Sequence, residues 1–161
     1  MSKAIIIYYS LEGNTDSTAR KIGAALGADL LRLVPEHEYP TGAGKYIAGG
    51  RAALFGDRPA LKPYKVDLSL YDTVIIGTPV WASTFAPPLR TFFSDNSIQG
   101  KTVGLFACQK GSGAEKCFEK IKKLTGINDV KAQLVLIDPK DKPDEANDAK
   151  IGEFCRKIDQ K

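Results

Sequence analysis

A polar turn follows the first apolar run of this sequence and has the composition of a phosphate site. Residues 4–9, AIIIYY, are almost continuously apolar, as is typical of a parallel strand covered on both faces. Residues 10–15, SLEGNT, then lead into a helical pattern. A helix N-terminus presents unpaired N–H groups and the positive end of the helix dipole, so it binds a phosphate dianion without Lys or Arg. The sequence therefore predicts a phosphate-binding loop here.

The side chains of this loop suit a phosphate to different degrees. Gly13 allows close approach of the backbone, and Ser10, Asn14 and Thr15 can donate to phosphate oxygens or cap the helix. The carboxylate of Glu12 repels a phosphate, so we expect it to point outward. The loop matches neither GxxxxGK[ST] nor GxGxxG. An ordinary strand-to-helix turn with a polar cap is the alternative.

A second loop that could bind a ligand is residues 78–84, TPVWAST, which follow the apolar run 73–77. It contains the only tryptophan of the chain, Trp81. At the carboxyl edge of a sheet, this indole can lie against a planar aromatic ligand, which contributes roughly 0.5–1.5 kcal/mol beyond burial. The alternative is a tryptophan packed beneath its own loop.

A third loop, residues 108–114, contains two glycines that let backbone N–H groups approach the polar edge of a ligand. These are Gly111 and Gly113. Cys108 follows a strand, as a phosphatase nucleophile does, but position 114 is Ala and no Arg lies nearby. Nucleophilic catalysis by Cys108 is therefore not expected.

Composition limits the class of protein. The 161 residues suit one domain spanning residues 1–161, and no apolar run approaches the ~18 residues that cross a bilayer. The N-terminus lacks a signal-peptide cleavage site, and the three cysteines have neither CxxC spacing nor a histidine cluster. We expect a soluble cytoplasmic protein with reduced, mostly buried thiols. The net charge of +4 is spread over several helix faces, which argues against nucleic-acid binding.

Apolar runs alternate with amphipathic segments, which predicts βαβ units and a parallel sheet. The predicted strands are residues 4–9, 28–34, 73–77, 102–108 and 134–137. The predicted helices are residues 14–26, 84–93, a segment around 117–124, and a last helix that starts near Pro143. In such a sheet the ligand lies outside the carboxyl ends of the strands, where the strand order reverses, so the three loops should meet there.

Residues 35–70 are rich in Gly and Pro, and only residues 48–55 are moderately helical. Such long connections are often lids or docking surfaces. Tyr39, Tyr46 and Phe55 could cover a ligand or pack against the core. His37 is the only histidine, and we expect it on the surface.

The loops SLEGNT and GTPVWAST resemble those of the flavodoxin family, and the resemblance covers essentially the whole chain. It implies a three-layer α/β fold with a doubly wound, five-stranded parallel sheet of order 2-1-3-4-5 and FMN at its switch point. The family motif T/S-x-T-G-x-T has Glu12 in place of its usual Thr. The residues implied to contact FMN are Ser10, Leu11, Glu12, Gly13, Asn14 and Thr15 at the phosphate, Thr78, Pro79, Val80, Trp81, Ala82 and Ser83 at the ring, and Cys108, Gln109, Lys110, Gly111, Ser112 and Gly113 at the pyrimidine edge.

The resemblance leaves three functions open. The first is an FMN-binding redox protein that carries electrons between partner proteins, with the chemistry at flavin N5 and no catalytic side chain. The second is a small NAD(P)H-dependent oxidoreductase acting on quinone-type acceptors, because the third loop lacks the aromatic residue that covers the flavin in electron-carrier flavodoxins. The third is a flavin-free module that binds a partner. A homodimer, with Trp81 or residues 35–70 facing the second subunit, is also compatible with the sequence.

Overall fold

The computed structural model describes residues 3–41 and 43–160, excluding the side chains of residues 43–47. Tyr46 is one of these, so its predicted covering role lies outside the described residues. The elements are β1 (Ala4–Tyr8), α1 (Asn14–Leu26), β2 (Asp29–Arg32), α2 (Ala43–Leu54), a 3₁₀ turn (Leu68–Leu70), β3 (Thr73–Trp81), β4 (Thr84–Phe85), α3 (Pro87–Asp95), β5 (Thr102–Gln109), α4 (Ala114–Thr125), β6 (Ala132–Ile137) and α5 (Glu145–Asp159).

The central strands form a parallel sheet of order β2-β1-β3-β5-β6. With the short β4 left out, this is the predicted order 2-1-3-4-5. Residues of β1 pair on both sides, as Ile6 does with Leu30 of β2 and Ile75 of β3. The strand order reverses at β1, which places the carboxyl ends of β1 and β3 side by side at the switch point.

Alternate residues of β1 enter two separate hydrophobic cores, which explains its continuous apolar run. Ile5 and Ile7 pack with α3 and α4 on one face, while Ile6 and Tyr8 pack with α1 and α5 on the other. All four side chains are at most 3% exposed. Helices therefore cover both faces of the sheet, and the predicted three-layer α/β architecture is confirmed.

Helix α1 agrees with its predicted bounds. Gly13 at its N-cap (φ 105°) and Gly27 at its C-cap (φ 64°) adopt the left-handed conformation, which glycine enters without strain. Helix α5 begins at Glu145. Asp144 caps its N-terminus, because the Asp144 side chain accepts a hydrogen bond from Ala146 N. None of the described helices is long and apolar enough to cross a membrane.

The region after residue 77 differs from the prediction. Strand β3 continues to Trp81, turns through Ala82 (φ 52°) and Ser83 (φ 58°), and pairs back with β4. Two central residues with positive φ are typical of a tight hairpin turn. The start at Thr84 of the helix predicted over residues 84–93 is therefore wrong, because Thr84 lies in β4 and the helix begins at Pro87.

Residues 35–70 contain more regular structure than their composition indicates. Helix α2 spans Ala43–Leu54, and an isolated antiparallel bridge joins Pro35 to Leu61. His37 is exposed, as expected. Phe55 is 74% exposed, so in this structure it covers neither the core nor the site.

Candidate functional site

The three predicted loops meet at the carboxyl edge of the sheet and enclose a cavity of about 350 Å³. A volume of this order is suitable for a small ligand. The predicted residues that line it are Ser10, Leu11, Glu12, Asn14, Thr15, Pro79, Val80, Trp81, Ala82, Cys108, Gln109, Lys110, Gly111 and Ser112.

Four other predicted residues do not line this cavity. Gly13 is the N-cap of α1, and Gly113 is the N-cap of α4, where an added Cβ would lie 2.8 Å from Ser83 Oγ. Ser83 itself forms the hairpin turn. Thr78 is fully buried, and its Oγ1 accepts a hydrogen bond of 2.9 Å from Ala86 N at the base of that hairpin. These residues shape the loops in this structure.

Two cavity residues were not predicted, Gly50 and Asp138. Gly50 belongs to α2, and no local pattern shows which way that helix folds over the sheet. Asp138 directly follows β6. The rule that sites lie at the carboxyl ends of strands would have predicted it, had the rule been applied to β6. Its backbone N donates to Gln109 O over 3.1 Å, which joins the loops after β5 and β6.

The phosphate loop uses one first-turn N–H group for Ser10 but keeps the Ser10 hydroxyl proton available. Asp16 N donates to Ser10 Oγ over 3.1 Å, so the hydroxyl proton of Ser10 can still point to a ligand. Gly13 has no side chain with which to cap the N–H groups of the first turn. Both observations fit an anion at the N-terminus of α1.

A network of charges fixes this loop from outside the cavity. Tyr8 donates to Asp16 Oδ1 over 2.5 Å, Arg20 binds the same carboxylate over 2.9 Å, and Arg32 donates to Ser10 O over 2.9 Å. Partial burial alone would raise the pKa of Asp16, but the hydrogen bonds from Tyr8 and Arg20 and the charge of Arg32 lower it. Burial and the bond to Asp16 raise the pKa of Tyr8 to about 12.

Trp81 is held by other aromatic residues and still lines the cavity. Its ring meets Tyr9 edge-on with 5.6 Å between centroids and Tyr39 with 5.2 Å, and only 7% of the residue is exposed. Helix α2 approaches so closely that a Cβ on Gly49 would lie 2.9 Å from Trp81 Cε3. The indole is therefore packed beneath neighbouring segments and also presents a surface to the cavity.

Tyr9 and Glu38 connect the long segment to this aromatic cluster. The Tyr9 hydroxyl donates to Glu38 Oε1, and Tyr39 N donates to the same oxygen over 3.1 Å. Burial, and then the bond to Glu38, raises the pKa of Tyr9. Tyr9 therefore donates this hydrogen bond at neutral pH.

The third loop is open on its outer side. Lys110, Gly111 and Ser112 are exposed, while the Gln109 side chain accepts a hydrogen bond of 3.1 Å from Ala114 N. Burial raises the pKa of the Cys108 thiol to about 11, and its Sγ lies 3.6 Å from Thr18 Oγ1. A buried neutral thiol is a poor nucleophile.

The family model described as Flavodoxin matches residues 3–142 of the chain. This chain belongs to the flavodoxin family. A structure of a candidate flavoprotein from Bacteroides eggerthii is similar to this flavodoxin-family protein, with 28% identity and a TM-score of 0.72 over 96% of this chain and 98% of the other.

Two further structures are similar to the flavodoxin-family chain in fold. A flavoprotein in complex with FMN from Lactobacillus acidophilus has 21% identity and a TM-score of 0.75, covering 96% of this chain and 99% of the other. Oxidised flavodoxin 2 from Bacillus cereus has 21% identity and a TM-score of 0.62, covering 98% and 97%.

Membership of this family implies FMN as the cofactor, and the site residues fit it. The helix N-terminus and Ser10 suit the phosphate, Trp81 offers an aromatic surface, and residues 109–112 offer backbone groups at another wall. Groups suited to the phosphate, the ring and its polar edge thus lie on three sides of the cavity, and each side comes from a different strand end.

Proposed function

We propose that this flavodoxin-family protein binds FMN and carries electrons between partner proteins. The observation that carries this proposal is the cavity at the switch point, which combines an anion-binding helix N-terminus with a fixed indole. Bound FMN would supply electron transfer, singly or in pairs, at its N5 position. The protein would contribute binding, orientation and electrostatics, with no catalytic side chain.

Each side of the cavity has a separate task in this proposal. Residues 10–15 hold the phosphate, and Trp81 limits the tilt of the ring system because Tyr9, Tyr39 and α2 restrict the indole. Residues 109–113 contact the pyrimidine edge. Lys110 lines the cavity there, and a positive charge at this position favours a negatively charged reduced ring.

The exposed surface at the end of α2 supports a protein partner. Leu54 and Phe55 at the end of α2 are 63% and 74% exposed, and the Arg51 guanidinium lies 5.9 Å from the Phe55 ring centroid. Arg90 and Arg58 lie close enough to repel each other. Exposed apolar groups surrounded by arginines suit a partner that presents carboxylates around an apolar centre.

A second candidate is an NAD(P)H-dependent oxidoreductase that reduces quinone-type acceptors. The exposed third loop, Lys110, Gly111 and Ser112, supports it because this loop contains no aromatic residue that could cover the ring and so leaves room for a small reactant. For either function we propose a cytoplasmic location, which the three free, buried cysteines support.

Visible absorbance of the purified protein, before and after addition of FMN and removal of the excess, tests the proposal. We expect a retained flavin band. Protein that retains no flavin would refute both redox functions and leave a flavin-free module that binds a partner. Anaerobic addition of NADH or NADPH to the loaded protein then separates the two candidates. Slow or absent bleaching supports the carrier, whereas rapid bleaching supports the oxidoreductase.

A further inference from the structure

Glu38, in the segment between β2 and α2, binds both tyrosines that flank the Trp81 indole. Its Oε1 accepts a hydrogen bond from the Tyr9 hydroxyl and another from Tyr39 N over 3.1 Å. The rings of Tyr9 and Tyr39 meet edge-on with 6.3 Å between centroids, and each also meets the indole edge-on. One carboxylate oxygen therefore closes a cluster of three aromatic rings, of which Trp81 lines the cavity.

The aromatic residues belong to a small hydrophobic core that is separate from the two cores on the faces of the sheet. Tyr9 and Trp81 share this core with Ala53 and Ala86, and Leu11 of the phosphate loop packs against it. A core of so few side chains has few apolar contacts to fix its geometry. A directional hydrogen bond therefore contributes a larger share of its order than it would in either main core.

The bond between Tyr9 and Glu38 ties the long segment to the end of β1. Tyr9 is fully buried, and a buried hydroxyl without an acceptor is unfavourable. Glu38 lies at the surface and brings the acceptor to it. Two residues earlier, Glu36 N donates to Ala60 O over 2.8 Å, which holds the start of the segment but makes no contact with β1. The carboxylate of Glu38 thus determines where Tyr39 lies relative to β1.

We propose that Glu38, through its hydrogen bond with Tyr9, is a positioning residue for the flavin ring, because it holds Tyr39 against the indole and so sets the orientation of Trp81 in the cavity. The inference rests on the proposed FMN function. Neither Glu38 nor Tyr9 lines the cavity, so both act through Trp81. An indole released from this restraint would have to be ordered again when the flavin binds, which lowers affinity.

Flavin-free protein with Glu38→Ala tests this role through the fluorescence anisotropy of Trp81, the only tryptophan. We expect the anisotropy to fall, because the indole gains freedom of motion. Titration with FMN should give a Kd raised about three- to tenfold, since a hydrogen bond to a charged acceptor is lost. The redox potential of bound FMN should shift as well, which a loss of stability alone would not produce.

Three further variants separate this hydrogen bond from a general effect of charge or folding. Tyr9→Phe keeps the ring, removes the donor and should change the anisotropy and the Kd in the same direction. Combined with Glu38→Ala it should add nothing, because both changes remove the same bond. Glu38→Gln keeps an acceptor oxygen and should stay near wild type. Glu36→Ala removes the same charge two residues away and should change the Kd less than about twofold.

The outcomes distinguish this inference from the proposed function. An unchanged anisotropy or an unchanged FMN Kd in Glu38→Ala, additive effects of Tyr9→Phe and Glu38→Ala, or an equal loss in Glu36→Ala would each overturn the inference and leave the FMN function intact. Wild-type protein that binds no FMN would overturn both.

Discussion

Asp16 is a residue outside the cavity that determines the shape of the phosphate loop. Its carboxylate joins Tyr8 of β1 to Arg20 of α1, and Arg32 of β2 lies 3.6 Å from it while also holding Ser10 O. The side chain is only 18% exposed, so water screens these contacts weakly. One carboxylate thereby fixes three elements around the loop.

We expect Asp16→Asn to lower the free energy of unfolding at neutral pH by about 1–2 kcal/mol, because Tyr8 and Arg20 lose an anionic hydrogen-bond acceptor and Arg32 loses its ion-pair partner. The pKa of Asp16 is lowered below its ordinary value of 3.8, so its contribution is present above that pH and is lost as the pH falls through the lowered pKa. Urea unfolding at several pH values would measure this. A difference between wild type and variant that stays constant below pH 4 would contradict it.

Trp81 is the residue whose replacement tests the ring-binding side of the cavity. We expect Trp81→Ala to weaken FMN binding and to shift the redox potential of the bound flavin, because one aromatic surface is lost. Fluorescence titration and anaerobic redox titration measure the two effects. Trp81→Phe keeps an aromatic ring and should retain more of the affinity, while unchanged affinity and potential in Trp81→Ala would remove the stacking role.

At the scale of elements, helix α2 approaches the site through two adjacent glycines, Gly49 and Gly50, which have different surroundings. Gly49 faces the Trp81 ring at a distance that leaves no room for a side chain. Gly50 lines the cavity, and a Cβ there would meet only Ala82 Cβ, at an ordinary contact distance of 3.9 Å. The close approach of helix and indole therefore depends on the first glycine.

We expect Gly49→Ala to displace either α2 or the indole and to shift the emission of Trp81, the only tryptophan, towards longer wavelength. The overpacked contact should destabilise the protein by about 1–3 kcal/mol. Gly50→Ala is the matched control and should leave the emission unchanged, with stability equal to or slightly above wild type because alanine favours helix. Equal emission spectra for the two variants would show that the contact does not restrain the indole.

At the scale of the whole molecule, two cores lie on opposite faces of the sheet and the cavity lies at its edge. The loops around the cavity extend from β1, β3, β5 and β6, and few of their residues belong to either core. A ligand that binds only the folded state contacts all of these loops at once. By mass action it therefore stabilises the entire fold against unfolding.

FMN at about 100 times its Kd should therefore stabilise the folded protein by about 2.7 kcal/mol and raise the Tm by roughly 5–10 °C. Thermal unfolding followed by far-UV circular dichroism, with and without FMN, would measure the shift. Adenosine monophosphate at the same concentration is a control for phosphate binding alone and should give a smaller shift. An unchanged Tm with FMN would contradict binding to the folded state.

The predicted site could be found because strand ends carry local patterns. Two walls of the cavity were predicted from apolar runs that are followed by the polar loops SLEGNT and TPVWAST. The third wall was predicted from the glycines of the loop after β5. Gly50 could not be found in this way, since it reaches the site from α2, whose path over the sheet depends on packing. The hairpin of β3 and β4 was missed because Ala82 and Ser83 are not typical residues for a turn with positive φ.

The sequence by itself determined the alternation of strands and helices, the polar turn after β1 and the burial of its free thiols, because periodicity and apolar character act over short distances. Tertiary structure alone decided that α2 packs on Trp81, that Arg32 reaches Ser10 and that Glu38 binds Tyr9. These contacts join residues far apart in the chain. Their geometry follows from how the sheet twists and how helices pack on it, and no local pattern encodes that.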